Sequence, residues 1–194
     1  MESPFYKYLK DKVHVRPEHL PRLMQLIHIK RVRKNEILLF SGEICSSIFF
    51  VEKGLLRLYS ADETGKEHII QFAPENWFLS ERGSLYFGTP SDFFIDALEE
   101  TSLVVFDQHF IDRAAEISPE FRTYNEYILQ NHIRELQLRI NLLIGSNAQK
   151  RYLEFIKLYP DLTMRLPQWM IASYLGITAE SLSRVRKILA RQGK

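Results

Sequence analysis

The chain has 194 residues, 45% of them hydrophobic, with a formal net charge of +2, enough apolar material for a real core in one or two domains. No stretch approaches a membrane span, and MESPFYKYLKDK lacks the apolar run of a secretory signal, so a cytoplasmic protein without a membrane partner is expected. The single cysteine, Cys45, excludes an intramolecular disulfide, and it cannot by itself hold an iron–sulfur cluster, which needs about four ligands.

Residues 5 to 28 carry two short amphipathic helical patterns, FYKYLKDKV and LPRLMQLI, which are expected to cover the domain that follows. From about Lys30 to Asp107 the pattern changes to apolar runs of strand length: EILLF, SIFFV, LLRLY, HIIQF, FFIDAL and LVVF. Turn chemistry separates them at Ser41-Gly42, Lys53-Gly54, Asp62-Glu63-Thr64-Gly65 and Pro74-Glu75-Asn76. Many short strands at even spacing predict a small antiparallel barrel or sandwich, which could enclose a ligand.

A short helix is expected over Ile111 to Ile117, then a long one from Pro119 to about Ile144. Within the long helix Leu129, Ile133, Leu136, Ile140 and Leu143 are spaced 4, 3, 4, 3, a heptad seam of about two repeats. The pattern fits either a dimer interface or a core helix lying on the barrel. Gly145-Ser146-Asn147 reads as a hinge, and the helix carrying RYLEFIKLY closes at Pro160.

The segment Pro167 to Arg191 has its own grammar. Pro167 suits a helix start, Met170, Ile171, Tyr174 and Leu175 recur at helical spacing, and Gly176 supplies a left-handed exit. Thr178 then offers a capping hydroxyl. In the second helix Leu182, Val185, Ile188 and Leu189 form an apolar stripe, while Glu180, Ser183, Arg184, Lys187 and Arg191 lie off it. This is the pattern of a helix-turn-helix whose second helix enters a DNA major groove. Residues 145 to 194 hold nine Lys and Arg against three Asp and Glu, whereas residues 1 to 144 hold 17 against 21. The charge asymmetry favours an acidic partner such as DNA. On pattern alone, a terminal helical hairpin with a solvated basic face remains the alternative.

Barrel, long helix, hinge and helix-turn-helix, in that order, resemble the Crp/Fnr family of bacterial transcription regulators. NEILLFSGE, SIFFVEKGLLRLY, DETGKEHIIQF, RYLEF and IASYLGITAESLSRVRKIL are all similar to that family's segments, in the right order and over nearly the whole chain. The resemblance implies an α+β fold: an antiparallel β-roll or barrel of the cyclic-nucleotide-binding type, a long dimerisation helix, and an all-α DNA-binding domain. The corresponding expectation is a barrel domain with its helical cover at 1–118, a central helix and hinge at 119–145, and the helix-turn-helix domain at 146–194. Partners implied are double-stranded DNA, a second copy of the chain meeting along Leu129 to Leu143, RNA polymerase, and an unidentified small-molecule effector.

Family members that bind cyclic AMP use a Gly-Glu pair, followed ten residues later by Arg-Ser or Arg-Thr, to clamp ribose and phosphate. Here those positions resemble Ser80-Glu81 and Ser91-Asp92. Glu81 is retained, but the arginine is absent and Asp92 would repel a phosphate, so no tight cyclic AMP binding is expected. Arg82 is a candidate contact for another anion, with a surface or structural arginine as the alternative reading. His14, His19, His28, His68, His109 and His132 fall at no metal-ligand spacing, and neither a metal nor a cofactor is expected.

Glu180-Ser181-Leu182-Ser183-Arg184 resembles the E-x-x-S-R pattern of the Fnr-like branch, in which Glu, Ser and Arg reach base edges. Arg184 can donate to guanine O6 and N7, and Glu180 can accept from a cytosine amino group. A palindrome with TTGAT-like half-sites, centred about one helical turn apart, is expected. Thr178, Ser181, Arg186, Lys187 and Arg191 are candidate phosphate contacts, which position the helix without choosing a sequence. The family usually continues into a small β-wing, whereas this sequence stops at Gln192-Gly193-Lys194, so modest intrinsic affinity is expected. Two other classes stay in view: a ligand-sensing adaptor whose helix-turn-helix binds protein, and a cupin-type metal enzyme. The enzyme reading is disfavoured because His68 is the only histidine in the strand runs.

Overall fold

The computed structural model describes residues 2–107 and 109–192. Gly193 and Lys194, on which the expectation of a missing wing turns, lie outside the described residues. The barrel portion opens with helices α1 (Pro4–Asp11) and α2 (Leu20–Met24). Strands β1 (His28–Val32), β2 (Ile37–Leu39), β3 (Ser47–Lys53), β4 (Leu56–Ala61), β5 (Glu67–Ala73) and β6 (Phe78–Leu79) follow, then helix α3 (Arg82–Phe87). Strands β7 (Phe94–Ala97) and β8 (Thr101–Asp107) and helix α4 (Phe110–Ile117) complete it. The remainder is helical: α5 (Pro119–Gly145), α6 (Ala148–Leu158), α7 (Leu162–Arg165), α8 (Gln168–Leu175) and α9 (Ala179–Gln192). The chain divides into two compact units, one of Met1–Lys66 and Ile70–Leu129, the other of Glu67–Ile69 and Gln130–Lys194.

The strands form two four-stranded sheets ordered β1-β8-β3-β6 and β2-β7-β4-β5. All the resolved pairings are antiparallel, as the even spacing of short strands predicts. Because side chains alternate across a strand, Leu56 and Leu58 of β4 share a face with their partners Ala97 and Ile95 of β7, and all four join the core. On β3 the alternation is hidden, since Ile48, Phe49, Phe50 and Val51 are all buried. One face turns into the barrel; the other, carrying Phe50 and paired with Phe78, is roofed by aromatic rings. Phe5 of α1 lies 4.9 Å from Phe50 and 5.2 Å from Phe106, and Phe110 of α4 lies 4.2 Å from Phe106, centroid to centroid. The amphipathic N-terminal segments are therefore a lid that makes a second apolar layer, as expected of them.

The start of α5 is fixed locally. Ser118 accepts the Phe121 amide at 3.2 Å through its hydroxyl, and Pro119 occupies the first turn, where a missing N–H costs nothing. Four features fall outside the expected elements: strand β1, the two-residue strand β6, helix α3, and the single-turn helix α7. The last three are too short to impose a period on their sequence.

Candidate nucleic-acid interface

Helices α6, α8 and α9 pack around a core of Tyr152, Phe155, Met170, Ile171, Leu175, Leu182 and Val185, all buried. Phe155, Tyr159 and Tyr174 form a ring cluster with centroids 5.3 to 5.8 Å apart. The turn between α8 and α9 is built as its residues require. Gly176 adopts φ 63°, ψ 39°, and the Ile177 amide donates to Ala172 O at 3.0 Å. A Cβ on Gly176 would be strained by the positive φ and would sit 3.4 Å from both Arg151 Nη1 and Leu143 Cδ2. Thr178 accepts the Ser181 amide at 3.2 Å and so caps α9.

On α9 the solvent face carries Glu180, Arg184, Lys187 and Arg191, all exposed. At about 100° per residue, these four fall within a stripe of about 60°, opposite the buried Leu182 and Val185. Ser183 is half-buried on one flank of that stripe. Arg186, also half-buried, lies farther round, beside the packed face. Arg184 Nη2 donates to Ser181 Oγ at 3.3 Å, so the guanidinium rests over the first turn beside Glu180. The Glu180 carboxyl is held below the usual carboxylate range, first by its own backbone amide, then by the Thr178 hydroxyl and the Arg184 charge. It is an acceptor, as a partner offering an amino group requires. Of the apolar stripe expected on α9, Ile188 is the exception: it is 46% exposed. It sits about 120° from Leu182 around the helix axis, while Leu189 lies above Leu182.

Two arginines without a sequence signal hold this unit. Arg151 of α6 donates through Nη1 to Leu175 O at 2.7 Å and through Nε to Ser146 O at 3.1 Å. Arg139 of α5 donates to Tyr174 O at 3.3 Å and stacks 3.9 Å above the Tyr174 ring. The two α8 carbonyls they take are 24 and 35 residues away in sequence. No local pattern could have marked them.

The proposed dimer seam is a solvent-facing stripe. Ile133 and Ile140 are 51% and 56% exposed, Leu136 and Leu143 are exposed, and Leu129 is half-buried. Ile144, 83% exposed, widens the stripe at its C-terminal end. Phe121 is the one fully buried residue of α5.

At the candidate effector corner, the retained carboxylate already has partners. Glu81 caps α3, with Oε1 accepting the Gly83 amide at 2.9 Å and Oε2 the Ser84 amide at 2.5 Å. The buried Ser91 hydroxyl bonds to Phe93 N and O at 3.0 Å each, and the Ser84 hydroxyl accepts the Cys45 amide at 2.8 Å. Ser80 is half-buried, Asp92 is exposed, and Arg82 stacks 5.0 Å over the Tyr86 ring. The side-chain hydrogen bonds of Glu81 and Ser91 thus stay within their own segments, 81–84 and 91–93. Among the described residues no cluster of three or more His, Cys, Asp or Glu could hold a metal ion, and no helix is long and apolar enough to cross a membrane.

Residues 29–117 match the family described as cyclic nucleotide-binding domain. Among curated relatives, the anaerobic regulatory protein of Pasteurella multocida is 25% identical over 188 residues, covering 91% of this chain and 68% of that protein. The transcriptional activator protein FnrA of Stutzerimonas stutzeri is 28% identical over 168 residues, covering 79% of this chain and 67% of its own. In fold, FixK2 of Bradyrhizobium japonicum superposes with a TM-score of 0.72 at 22% identity, over 86% of each chain.

Proposed function

We propose that this chain, whose residues 29–117 match the cyclic nucleotide-binding domain family and whose curated relatives are transcription regulators, is a DNA-binding regulator of the Crp/Fnr type that works as a homodimer reading a palindrome. Each copy lays α9 in a major groove, and the half-sites are TTGAT-like. The observation that carries this reading is the solvent face of α9. Glu180 and Arg184 lie side by side there, Ser183 flanks them, and Leu182 and Val185 anchor the opposite side. Arg184 supplies a bidentate donor for guanine, and Glu180, held ionised, supplies the acceptor for a cytosine amino group. Lys187 and Arg191 continue the stripe and meet phosphates, with Thr178, Ser181 and Arg186 at its margins.

Dimerisation is supported by the exposed stripe Ile133, Leu136, Ile140 and Leu143, which a second copy of α5 would bury. In functional terms residues 1–118 form the sensory-type barrel, 119–145 the dimer helix and hinge, and 146–194 the DNA reader. The barrel takes no cyclic AMP: Glu81, Ser84 and Ser91 are spent on the chain's own backbone, and Ser91 stands where the family's cyclic AMP binders carry a phosphate-binding arginine, with the exposed carboxylate of Asp92 next to it in sequence. Any effector is a different small molecule. The site of action is the cytoplasm, where DNA and RNA polymerase are the partners.

The direct test is selection from a random duplex pool by purified protein without added ligand, followed by sequencing of the bound fraction. Enrichment of a two-fold TTGAT-like palindrome is the expected result. Failure to enrich any sequence at low salt, with and without candidate effectors, would overturn the reading.

A further inference from the structure

The exposed seam of α5 and the turn of the helix-turn-helix share a residue. Leu143 is the last member of the seam, yet its Cδ2 also lies against Gly176, where an added Cβ would meet it at 3.4 Å. Arg151 Nη1 makes the same close approach to Gly176 from the other side of the turn and donates to Leu175 O at 2.7 Å. Its Nε holds Ser146 O, the first residue after α5, at 3.1 Å. One planar guanidinium therefore ties the end of α5 to the end of α8, with both donors in a fixed fork. Arg139, one turn before Leu143, adds a hydrogen bond to Tyr174 O and a stacking contact on the same residue. The last carbonyls of a helix lack intrahelical partners and carry partial negative charge, so two cations there satisfy both needs. From Gly176 only Ile177 and Thr178 remain before α9 begins.

We propose that Leu143, Arg139 and Arg151 form a joint through which a second chain seated on α5 sets the direction of α9, and so fixes the spacing between half-sites. The proposal rests on the homodimeric DNA-reading function above. The three side chains are positioning residues: they touch no base. Leu143 couples the two events because a chain packed on the seam also rests on the side chain that lies beside Gly176 in the turn. Arg151 keeps that coupling stiff. Without it Leu175 O and Ser146 O lose their shared donor, and α9 gains freedom relative to α5 while keeping its own base-reading face.

The test uses the full chain and Arg151→Lys and Arg151→Ala, the lysine variant preserving charge but not the fork. Two readouts are needed. The first involves no DNA: hydrogen exchange at the Gly176 and Ile177 amides should speed up by about tenfold or more in both variants, while protection within α6 and α9 is kept. The second is enrichment from duplex pools in which two half-sites are separated by varied spacings. The parent chain should enrich one spacing, and the variants the same half-site over several spacings. A variant that keeps the parent's single spacing, or that loses half-site preference together with spacing, overturns the joint. If the parent enriches no DNA, the DNA-reading assignment falls, and unchanged exchange at Gly176 and Ile177 would overturn the joint separately.

Discussion

Arg57 and Asp96 face each other across β4 and β7 as a bidentate ion pair, Nε to Oδ1 at 2.7 Å and Nη2 to Oδ2 at 2.9 Å. Both side chains are less than a tenth exposed, and the guanidinium stacks 4.0 Å over Tyr59. Such a pair contributes little over an apolar one, but breaking it leaves a buried charge without its counter-ion. Asp96→Ala is expected to destabilise the barrel by about 3–5 kcal/mol. Urea unfolding of the variant measures it, and a midpoint equal to the parent's would contradict the expectation.

Acid titration should single out Glu120. The Ser118 hydroxyl, donating at 2.7 Å, and Glu120's own backbone amide pull its carboxyl from 4.5 to about 2, with help from Arg16 Nε at 2.8 Å. The folded chain then binds fewer protons than the unfolded chain between those values. This group's stabilisation is complete above about 4.5 and drains away as pH falls to about 2. Glu120→Gln should therefore lower the thermal midpoint at neutral pH and flatten the acid limb, the two proteins converging near pH 2. A constant difference across that range would show that the residue acts without titrating.

Local chemistry made much of this legible in advance. The strand runs SIFFV and LLRLY became β3 and β4, Pro119 opened α5, and Gly176 turned the chain, because each depends on a few neighbouring residues. What depended on distant partners was not legible. Arg57 and Asp96 are 39 residues apart, and nothing in RLY or FIDA marks them as a pair until strand register is known. Arg139 and Arg151 carry no local signal, because the carbonyls they bond belong to another helix. Glu81 was read from a family position as a ligand contact; its carboxylate caps α3, a helix too short to have been expected. Grouping Ile188 with Leu189 failed because adjacent residues point about 100° apart.

The seam makes a sharp prediction because its members are exposed rather than packed. Ile140 lies in the middle of the stripe, so Ile140→Glu places like charges opposite each other in any two-fold pairing of α5 while costing the isolated chain little. Sedimentation equilibrium should show a dimer for the parent and a monomer for the variant, with far-ultraviolet circular dichroism unchanged. Palindrome affinity should fall by two orders of magnitude or about 3 kcal/mol, since the second half-site no longer binds intramolecularly. A variant that stays dimeric would move the interface elsewhere.

The solvent face of α9 separates sequence reading from general attraction to DNA, and two substitutions distinguish them. Arg184 is poised at the first turn beside Glu180, whereas Lys187 lies nearly one turn further toward the C-terminal end of the stripe. Arg184→Ala is expected to cost about 1–3 kcal/mol per half-site on the selected palindrome and to relax preference at one base position. Its binding to unrelated DNA should barely change. Lys187→Ala should weaken palindromic and unrelated DNA alike and reduce the salt dependence by about one counterion per half-site. Fluorescence anisotropy over a range of salt concentrations measures both. If Arg184→Ala left the palindrome's affinity unchanged while Lys187→Ala relaxed the sequence preference, the roles along the stripe would have to be exchanged. The reading edge of α9 would then lie a full turn further toward Gln192.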